Sequence, residues 1–137
     1  MKSTSGSGSS GTDIGLLLLR VAIGASIFIK HGVEKLTNHA HMASHFPDPV
    51  HLGRHPSFLI AMIADGICSL LVVLGLGTRV AACIIFMNLG VALYFVHHLA
   101  FRTDHGEMIV AYMGGFLALV FTGAGRFSAD WKIWGRS

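Results

Sequence analysis

Long apolar stretches separated by short polar segments dominate this sequence of 137 residues. Four of the stretches are each close to the roughly 20 residues that an α-helix needs to cross about 30 Å of hydrocarbon. The predicted spans are residues 14–36, 57–76, 79–100 and 107–125. The pattern therefore predicts an integral membrane protein built from four helices.

The connections between the spans set their order. Gly77 and Thr78 join the second and third spans, and residues 101–106 join the third and fourth, so each pair forms an antiparallel hairpin. The first connection, residues 37–56, is longer and contains all three prolines, which disfavour a continuous helix. It is expected to fold back as a partial cap. The expected fold is all-α, a single four-helix up-down bundle over residues 14–137.

Polar segments flank the predicted bundle. Residues 1–13 are rich in Ser and Gly and are expected to form a disordered tail. Residues 126–137 interleave Phe127, Trp131 and Trp134 with basic side chains, a combination typical of the membrane–water interface. The closing segment is therefore expected to anchor the chain at the lipid headgroups.

Basic residues predict the orientation of the bundle. An even number of spans puts both termini on one side of the membrane, here called the terminal face, together with the turn at Gly77. The terminal face carries Lys2, Arg20, Arg79, Arg126, Lys132 and Arg136, and the opposite face carries Lys30, Lys35, Arg54 and Arg102. The positive-inside rule therefore predicts a multi-pass cell-membrane protein with both termini in the cytoplasm.

Composition supports a membrane protein and argues against other classes. Charged residues make up 12% of the chain, whereas soluble domains carry about 25%. The net charge of +3 is scattered rather than gathered into a stripe, which argues against nucleic-acid binding. Cys68 and Cys83 lie within apolar spans without CxxC spacing, so they predict neither a disulfide framework nor a thiolate metal site.

All nine histidines map to the side opposite the termini, here called the histidine face. Imidazoles there could bind a metal or relay protons. Five of them lie in the first connection without fixed ligand geometry, so an exposed loop without a specific role explains them as well, and no metal is assigned. The nine are His31, His39, His41, His45, His51, His55, His97, His98 and His105.

Ionisable residues within the first two spans point to a functional site, since a charge at mid-bilayer costs at least about 2.5–3.5 kcal/mol. On the first span, Arg20 and His31 share one helix face, and Lys35 lies about 60° from Arg20. Asp65 on the second span is expected at a depth similar to that of His31. Arg20 lies deeper, and a direct pair with Asp65 is not assumed.

The remaining two spans add further candidates. On the third span, His98 is chosen over His97 to face the bundle, because it lies about 80° around the helix from Asn88 whereas His97 lies about 180° away. Glu107 begins the fourth span. Ala111, Gly114, Ala118 and Gly125 give that span a small-residue face for close helix contact. The predicted polar pocket opens toward the histidine face, and its candidate residues are Arg20, His31, Lys35, Asp65, His98 and Glu107.

A pocket of this kind could bind and protonate a redox-active headgroup. A quinone fits, because its tail partitions into lipid while its carbonyls accept hydrogen bonds and protons. The alternative is a polar network that only locks the four helices together. A small transporter or proton pathway is a third interpretation, although no inverted repeat is visible.

Short motifs spread along the chain from residue 14 onward resemble those of the DoxX family of small four-helix membrane proteins. They are Leu19-Arg20, His31-Gly32 with Lys35-Leu36, Ala64-Asp65, the hairpin run from Leu74 to Arg79, and the run from Gly123 to Asp130. The sequence departs from the family pattern where Asp65 stands for the usual Glu and Ser69 for the usual Gly. The shorter carboxylate can shift the site or its ligand.

The resemblance implies an integral membrane protein tied to redox metabolism, since the named relatives include subunits of a thiosulfate:quinone oxidoreductase. The sequence shows no haem or flavin motif and no candidate sulfur-handling cysteine, so no intrinsic cofactor is predicted. The leading hypothesis is a subunit that binds a quinone or similar lipid-soluble molecule and supports a partner oxidoreductase. A non-enzymatic scaffold or assembly subunit is the alternative, and self-association is left open.

Overall fold

The computed structural model describes residues 10–96, 98 and 104–135, apart from the side chain of Asp104. Within these residues, four helices are long and apolar enough to cross a membrane. They are Ser10–Thr37, Arg54–Leu74, Thr78–Val96 and His105–Thr122, here numbered as the first to fourth spans. The described ranges contain no strand. The predicted all-α, four-span membrane protein is therefore confirmed.

The first span begins earlier than the hydrophobic pattern predicts. Its helix starts at Ser10, so the last residues of the predicted disordered tail are helical, while residues 1–9 lie outside the described residues. Asp13 is buried, and its carboxylate accepts a hydrogen bond from the backbone N–H of Arg126 at 3.0 Å. This contact with the C-terminal part of the chain stabilises the first turns of the helix. The Ser- and Gly-rich composition of the segment does not predict such a helix.

Three of the spans contain a turn of π-helix. These turns are Phe28–Gly32 in the first span, Ile63–Cys68 in the second and Ala92–Val96 in the third. The first two turns pack against each other, because a Cβ added at Gly32 would lie 2.6 Å from the carbonyl oxygen of Asp65. Turns of π-helix are often found at functional sites. Two such turns side by side make this part of the bundle a candidate functional site.

The core between the helices is apolar and draws on all four spans. Its buried residues are Ile27, Cys68, Val72, Ala81, Ala82, Ile85, Leu89, Phe116 and Leu119. Large apolar side chains also cover the outer surface, with Leu18 65% exposed and Phe121 75% exposed. An outer surface of this kind suits contact with lipid rather than water.

Most of the small-residue face predicted on the fourth span does not pack within the chain. Ala111, Gly114 and Ala118 are exposed, and a Cβ added at Gly114 would meet no atom within 4 Å. Phe116 and Leu119 face the core instead. The prediction was wrong for these three residues because a run of small residues does not by itself say whether a helix face points to the bundle or to lipid. Gly125, the fourth predicted member, lies beyond the helix end and is buried, and a Cβ there would lie 3.2 Å from Leu16 Cδ1.

The first connection folds back onto the start of the second span. It contains a short helix, His39–His45, and then a segment held by Asp48, whose carboxylate accepts from Gly53 N and Ser57 Oγ, both at 3.0 Å. The Phe46 and Phe58 rings meet edge to face at 5.4 Å. These contacts fix the connection over the histidine-face end of the second span.

The C-terminal segment docks on the hairpin between the second and third spans. Ser128 caps the short helix Ala129–Trp134 by accepting from Trp131 N. The carboxylate of Asp130 accepts from Gly77 N at 2.8 Å and Thr78 N at 3.1 Å. The first backbone N–H groups of a helix have no partner within the helix. Asp130 accepts hydrogen bonds from two such groups at the start of the third span. The C-terminal segment therefore braces the bundle at the terminal face.

Candidate functional site

A buried ion pair joins the first and second spans. Lys35 Nζ lies 2.6 Å from Asp65 Oδ2, and the two side chains are only 9% and 8% exposed. Removing two charges from water is costly, and close contact with good hydrogen-bond geometry is needed to offset that cost. The structure therefore brings together two of the candidate residues, one of each sign, inside an apolar bundle.

Asn88 on the third span completes the environment of this pair. Its side-chain amide donates from Nδ2 to Asp65 Oδ1 at 3.1 Å, so each oxygen of the carboxylate accepts a hydrogen bond from a different span. We call Lys35, Asp65 and Asn88 the polar cluster. Asn88 is absent from the predicted candidates, although a lone amide near the middle of an apolar span is a signal that could have identified it.

The backbone around Asp65 is shaped by the π-helical turn in which it lies. A π turn breaks the regular i to i−4 bonding of the helix. The hydroxyl of Ser69 donates to the carbonyl oxygens of both Asp65 and Gly66, the latter at 2.9 Å. Ser69, one of the departures from the expected motif, thus provides a partner for carbonyl groups in this turn.

His31 lies close to the polar cluster but is not hydrogen-bonded to it. It belongs to the π turn of the first span and is exposed. It is near enough to interact electrostatically with Lys35 and Asp65. An imidazole beside a buried ion pair can accept or donate a proton without being part of the pair.

Arg20 lies far from the polar cluster. Twelve residues of helix separate it from Gly32, which is roughly 18 Å at 1.5 Å per residue. It is fully buried, and its guanidinium donates to the carbonyl oxygens of Val73 at 3.2 Å and Phe127 at 2.6 Å. The structure therefore places Arg20 at the terminal face, where it connects backbone segments.

The structure also does not bring His98 or Glu107 to the polar cluster. Both side chains are exposed, and His98 has a positive φ of 47° just beyond the end of the third span. In the part of the chain that is described, neither forms a hydrogen bond or ion pair with the cluster. His97, the residue not chosen, lies outside the described residues.

An apolar cavity of about 370 Å³ lies between the second and third spans. We call it the groove, and its volume falls within the range of about 300–1,000 Å³ that is typical of small-molecule sites. It is lined by Phe46, Pro47, Pro49, Val50, Ser57, Ile60, Ala61, Cys83, Ile84, Met87, Asn88, Val91, Ala92 and Val96. Asn88 therefore belongs both to the groove wall and to the polar cluster.

The histidines of the first connection pack on one another and on aromatic rings. His41 and His45 stack with ring centroids 5.0 Å apart, and His39 meets the edge of Phe58 at 5.0 Å. Among the described residues, no group of three or more His, Cys, Asp or Glu side chains could hold a metal ion.

Comparison with known proteins places these features in a family. The DoxX family profile matches residues 15–98, a segment that contains the polar cluster and every residue lining the groove. An uncharacterized protein of Haemophilus influenzae is 33% identical over 128 residues, covering 86% of this chain and 90% of the relative. No solved structure gives a significant match. The chain therefore belongs to the DoxX family of multi-pass membrane proteins.

Proposed function

We propose that this DoxX protein binds a quinone, or a similar lipid-soluble molecule, at the polar cluster and supports the reaction of a partner oxidoreductase. One observation carries the proposal: the Asn88 amide lies in the groove wall and is hydrogen-bonded to a carboxylate buried in an ion pair. An apolar cavity with a few convergent polar groups is the usual form of a small-molecule site.

The chemistry of the polar cluster suits a carbonyl headgroup. An amide NH₂ carries two N–H donors, so Asn88 can bind Asp65 with one and a ligand carbonyl with the other. Reduction of a quinone by two electrons takes up two protons, and proton transfer requires titratable groups within hydrogen-bond reach. Asp65 is hydrogen-bonded to Asn88 of the groove wall and paired with Lys35, and His31 lies near both, so these three are the titratable groups that we propose for proton transfer, while the partner supplies the electrons.

Burial of the ion pair also favours a functional role. Buried ion pairs are weak contributors to stability compared with well-packed apolar residues of similar volume. Ionisable residues inside membrane spans are costly and commonly mark ligand sites or proton pathways. A Lys–Asp pair in this position therefore fits a binding site better than a device for stability alone.

A second candidate function, a structural scaffold, is favoured by a different observation. The three members of the polar cluster come from three different spans, so their hydrogen bonds link three helices. In that case the polar cluster would specify helix packing and would bind no ligand. A proton pathway is a further alternative, which proton-flux measurements in reconstituted vesicles would test.

Quinone binding to the purified protein in lipid nanodiscs tests the first proposal. Decylubiquinone should bind the wild type, and Asn88→Leu should weaken binding by about tenfold, the loss of roughly one hydrogen bond. Asn38→Leu, an exposed amide at the end of the first span, is the matched control and should bind normally. A folded wild type that binds neither ubiquinone nor menaquinone analogues would refute the proposal.

A double variant separates ligand binding from helix packing. Lys35→Met with Asp65→Leu removes both charges while preserving side-chain bulk, so the bundle should remain folded. Quinone binding should be lost if the polar cluster is the site. Unchanged quinone binding in this double variant would place the site elsewhere.

Two further parts of the proposal concern the cellular context. We place both termini in the cytoplasm, and fluorescent-protein fusions at either end should fluoresce there. We also expect an oxidoreductase to co-purify with the chain in mild detergent, together with extractable quinone. Termini outside the cytoplasm, or purification without any redox protein, would contradict these two expectations.

A further inference from the structure

We infer that the groove holds the nonpolar chain of the ligand and that the ligand enters sideways from the bilayer, with its polar head at Asn88. This inference rests on the proposed function and specifies which kind of quinone the protein selects. It requires a molecule with a long apolar tail, and a compact ring alone would leave most of the groove empty.

The shape of the groove favours a chain. Its third-span wall runs from Cys83 to Val96, thirteen residues of helix or roughly 20 Å. A cavity of about 370 Å³ spread along that length is narrow. Asn88 lies five residues, about 8 Å, from the Cys83 end of this wall, so a headgroup at Asn88 leaves a narrow apolar path toward Cys83 that fits the first part of an isoprenoid or alkyl chain.

The lining of the groove is chemically suited to hydrocarbon. Among the described residues that line it, the two side chains that carry oxygen or nitrogen are Ser57 and Asn88. The hydroxyl of Ser57 already donates to Asp48 Oδ1 at 3.0 Å. Asn88 is thus the polar contact that the groove offers to a headgroup, and the rest of the lining offers apolar contact to a tail.

Exposure of the walls indicates where the ligand enters. Met87 is 61% exposed, Ile60 49% and Ile84 39%, and these residues lie within membrane spans, so that side of the groove faces lipid. The other end is covered by Phe46, Pro47 and Pro49 of the first connection, which Asp48 fixes to the second span. The inferred entry therefore differs from the opening toward the histidine face that the sequence predicts.

Cys83 provides a reporter for occupancy of the groove. It is exposed and lines the groove, whereas Cys68 is buried in the core. In nanodiscs, a membrane-permeant maleimide should alkylate Cys83 faster than Cys68, and mass spectrometry of the two peptides measures both rates. Cys83→Ser provides the background rate.

Two quinones with fully substituted rings test the tail. Because every ring position is substituted, neither quinone readily adds a thiol. Decylubiquinone carries a long alkyl chain, and duroquinone has none. Saturating decylubiquinone should slow Cys83 alkylation by about tenfold, because burial of a chain excludes the reagent. Duroquinone should leave the rate unchanged, and dodecane, a chain without a headgroup, should protect far less than decylubiquinone.

A groove-filling variant supplies an independent measurement. Ile84→Trp should weaken decylubiquinone binding by about tenfold, the equivalent of about two methylene contacts, and should leave duroquinone binding unchanged. Val80→Trp, one helical turn away and 68% exposed outside the groove lining, is the matched control and should change neither.

The outcomes distinguish this inference from the proposed function. If decylubiquinone binding depends on Asn88 but does not slow Cys83 alkylation and is not weakened by Ile84→Trp, the inferred tail site in the groove is overturned and the proposed function is kept. If dodecane protects Cys83 as strongly as decylubiquinone does, any lipid chain fills the groove. That result also overturns the inference. Absence of binding by both quinones would overturn the proposed function and the inference together.

Discussion

Arg20 donates a hydrogen bond from Nη2 to the carbonyl oxygen of Phe127, 2.6 Å away, across 107 residues of sequence. The other terminal nitrogen donates to the carbonyl oxygens of Val72 and Val73, at 3.4 Å and 3.2 Å. A single buried cation thus connects the first span, the end of the second span and the C-terminal segment. Gly75 belongs to the same contact, since a Cβ there would collide with the guanidinium.

Replacing Arg20 by Met should destabilise the bundle by about 3 kcal/mol, because it removes the charged hydrogen bonds to the carbonyl oxygens of Val73 and Phe127. Thermal unfolding in detergent measures the change. Arg79→Met is the matched control, since Arg79 is exposed on the same face and should tolerate the substitution. Equal stability of the two variants would show that the buried hydrogen bonds of Arg20 do not hold the bundle together.

Asp130→Ala should release the C-terminal segment. The carboxylate caps the backbone at Gly77 and Thr78, and loss of a helix-capping side chain costs about 1 kcal/mol. Trypsin should then cut faster after Lys132, which is exposed near the end of the segment. Glu34→Ala, an exposed carboxylate at the other end of the bundle, should leave the rate at the wild-type value. Unchanged cleavage of Asp130→Ala would contradict the capping role.

The ion pair of the polar cluster should show strong coupling in a double-mutant cycle. Lys35→Met and Asp65→Leu should each destabilise the bundle by about 3–5 kcal/mol, because each strands one buried charge. The double variant should recover most of this loss. Unfolding midpoints in a denaturing-detergent titration give the free energies, and additive losses would argue against direct pairing of the two charges.

Close approach of the first two spans predicts a specific cost for a methyl group. Gly32→Ala would bring a Cβ to 2.6 Å from the Asp65 carbonyl oxygen and 3.1 Å from Gly66 Cα. Overpacking of this kind costs about 1–3 kcal/mol, so the melting temperature should fall. Gly114→Ala, where a Cβ would meet no neighbour within 4 Å, should leave the melting temperature unchanged or slightly raised. Similar effects of the two substitutions would contradict the packing at Gly32.

The sequence predicts the number and order of the spans because hydrophobic length alone determines which segments cross a bilayer. It also predicts Lys35 and Asp65 as site residues, since charges are conspicuous in apolar spans. It does not predict the partners of Arg20, because these are backbone carbonyl oxygens, which every residue type supplies. Asn88 was missed because an uncharged amide costs less to bury than a charge and stands out less.

The π-helical turns also limit what helix periodicity can predict. Angles drawn at a constant 100° per residue hold only while the helix stays regular. The turn at Phe28–Gly32 lies between Arg20 and Lys35, so the two residues cannot be placed on one straight wheel. The choice of His98 carries the same difficulty, since the turn at Ala92–Val96 separates it from Asn88.

A π turn acts as a one-residue insertion in an otherwise regular helix, and this makes the backbone conformation of the first span part of the site. Deleting one residue between Phe28 and Gly32 would allow an unbroken α-helix of equally apolar sequence. Because the turn absorbs one extra residue, that deletion would keep Lys35 on the side of Asp65, whereas a regular α-helix with all residues retained would swing Lys35 by about 100° around the helix axis, away from Asp65. The ion pair is therefore encoded by the backbone conformation of this turn as much as by the identities of the two residues that form it.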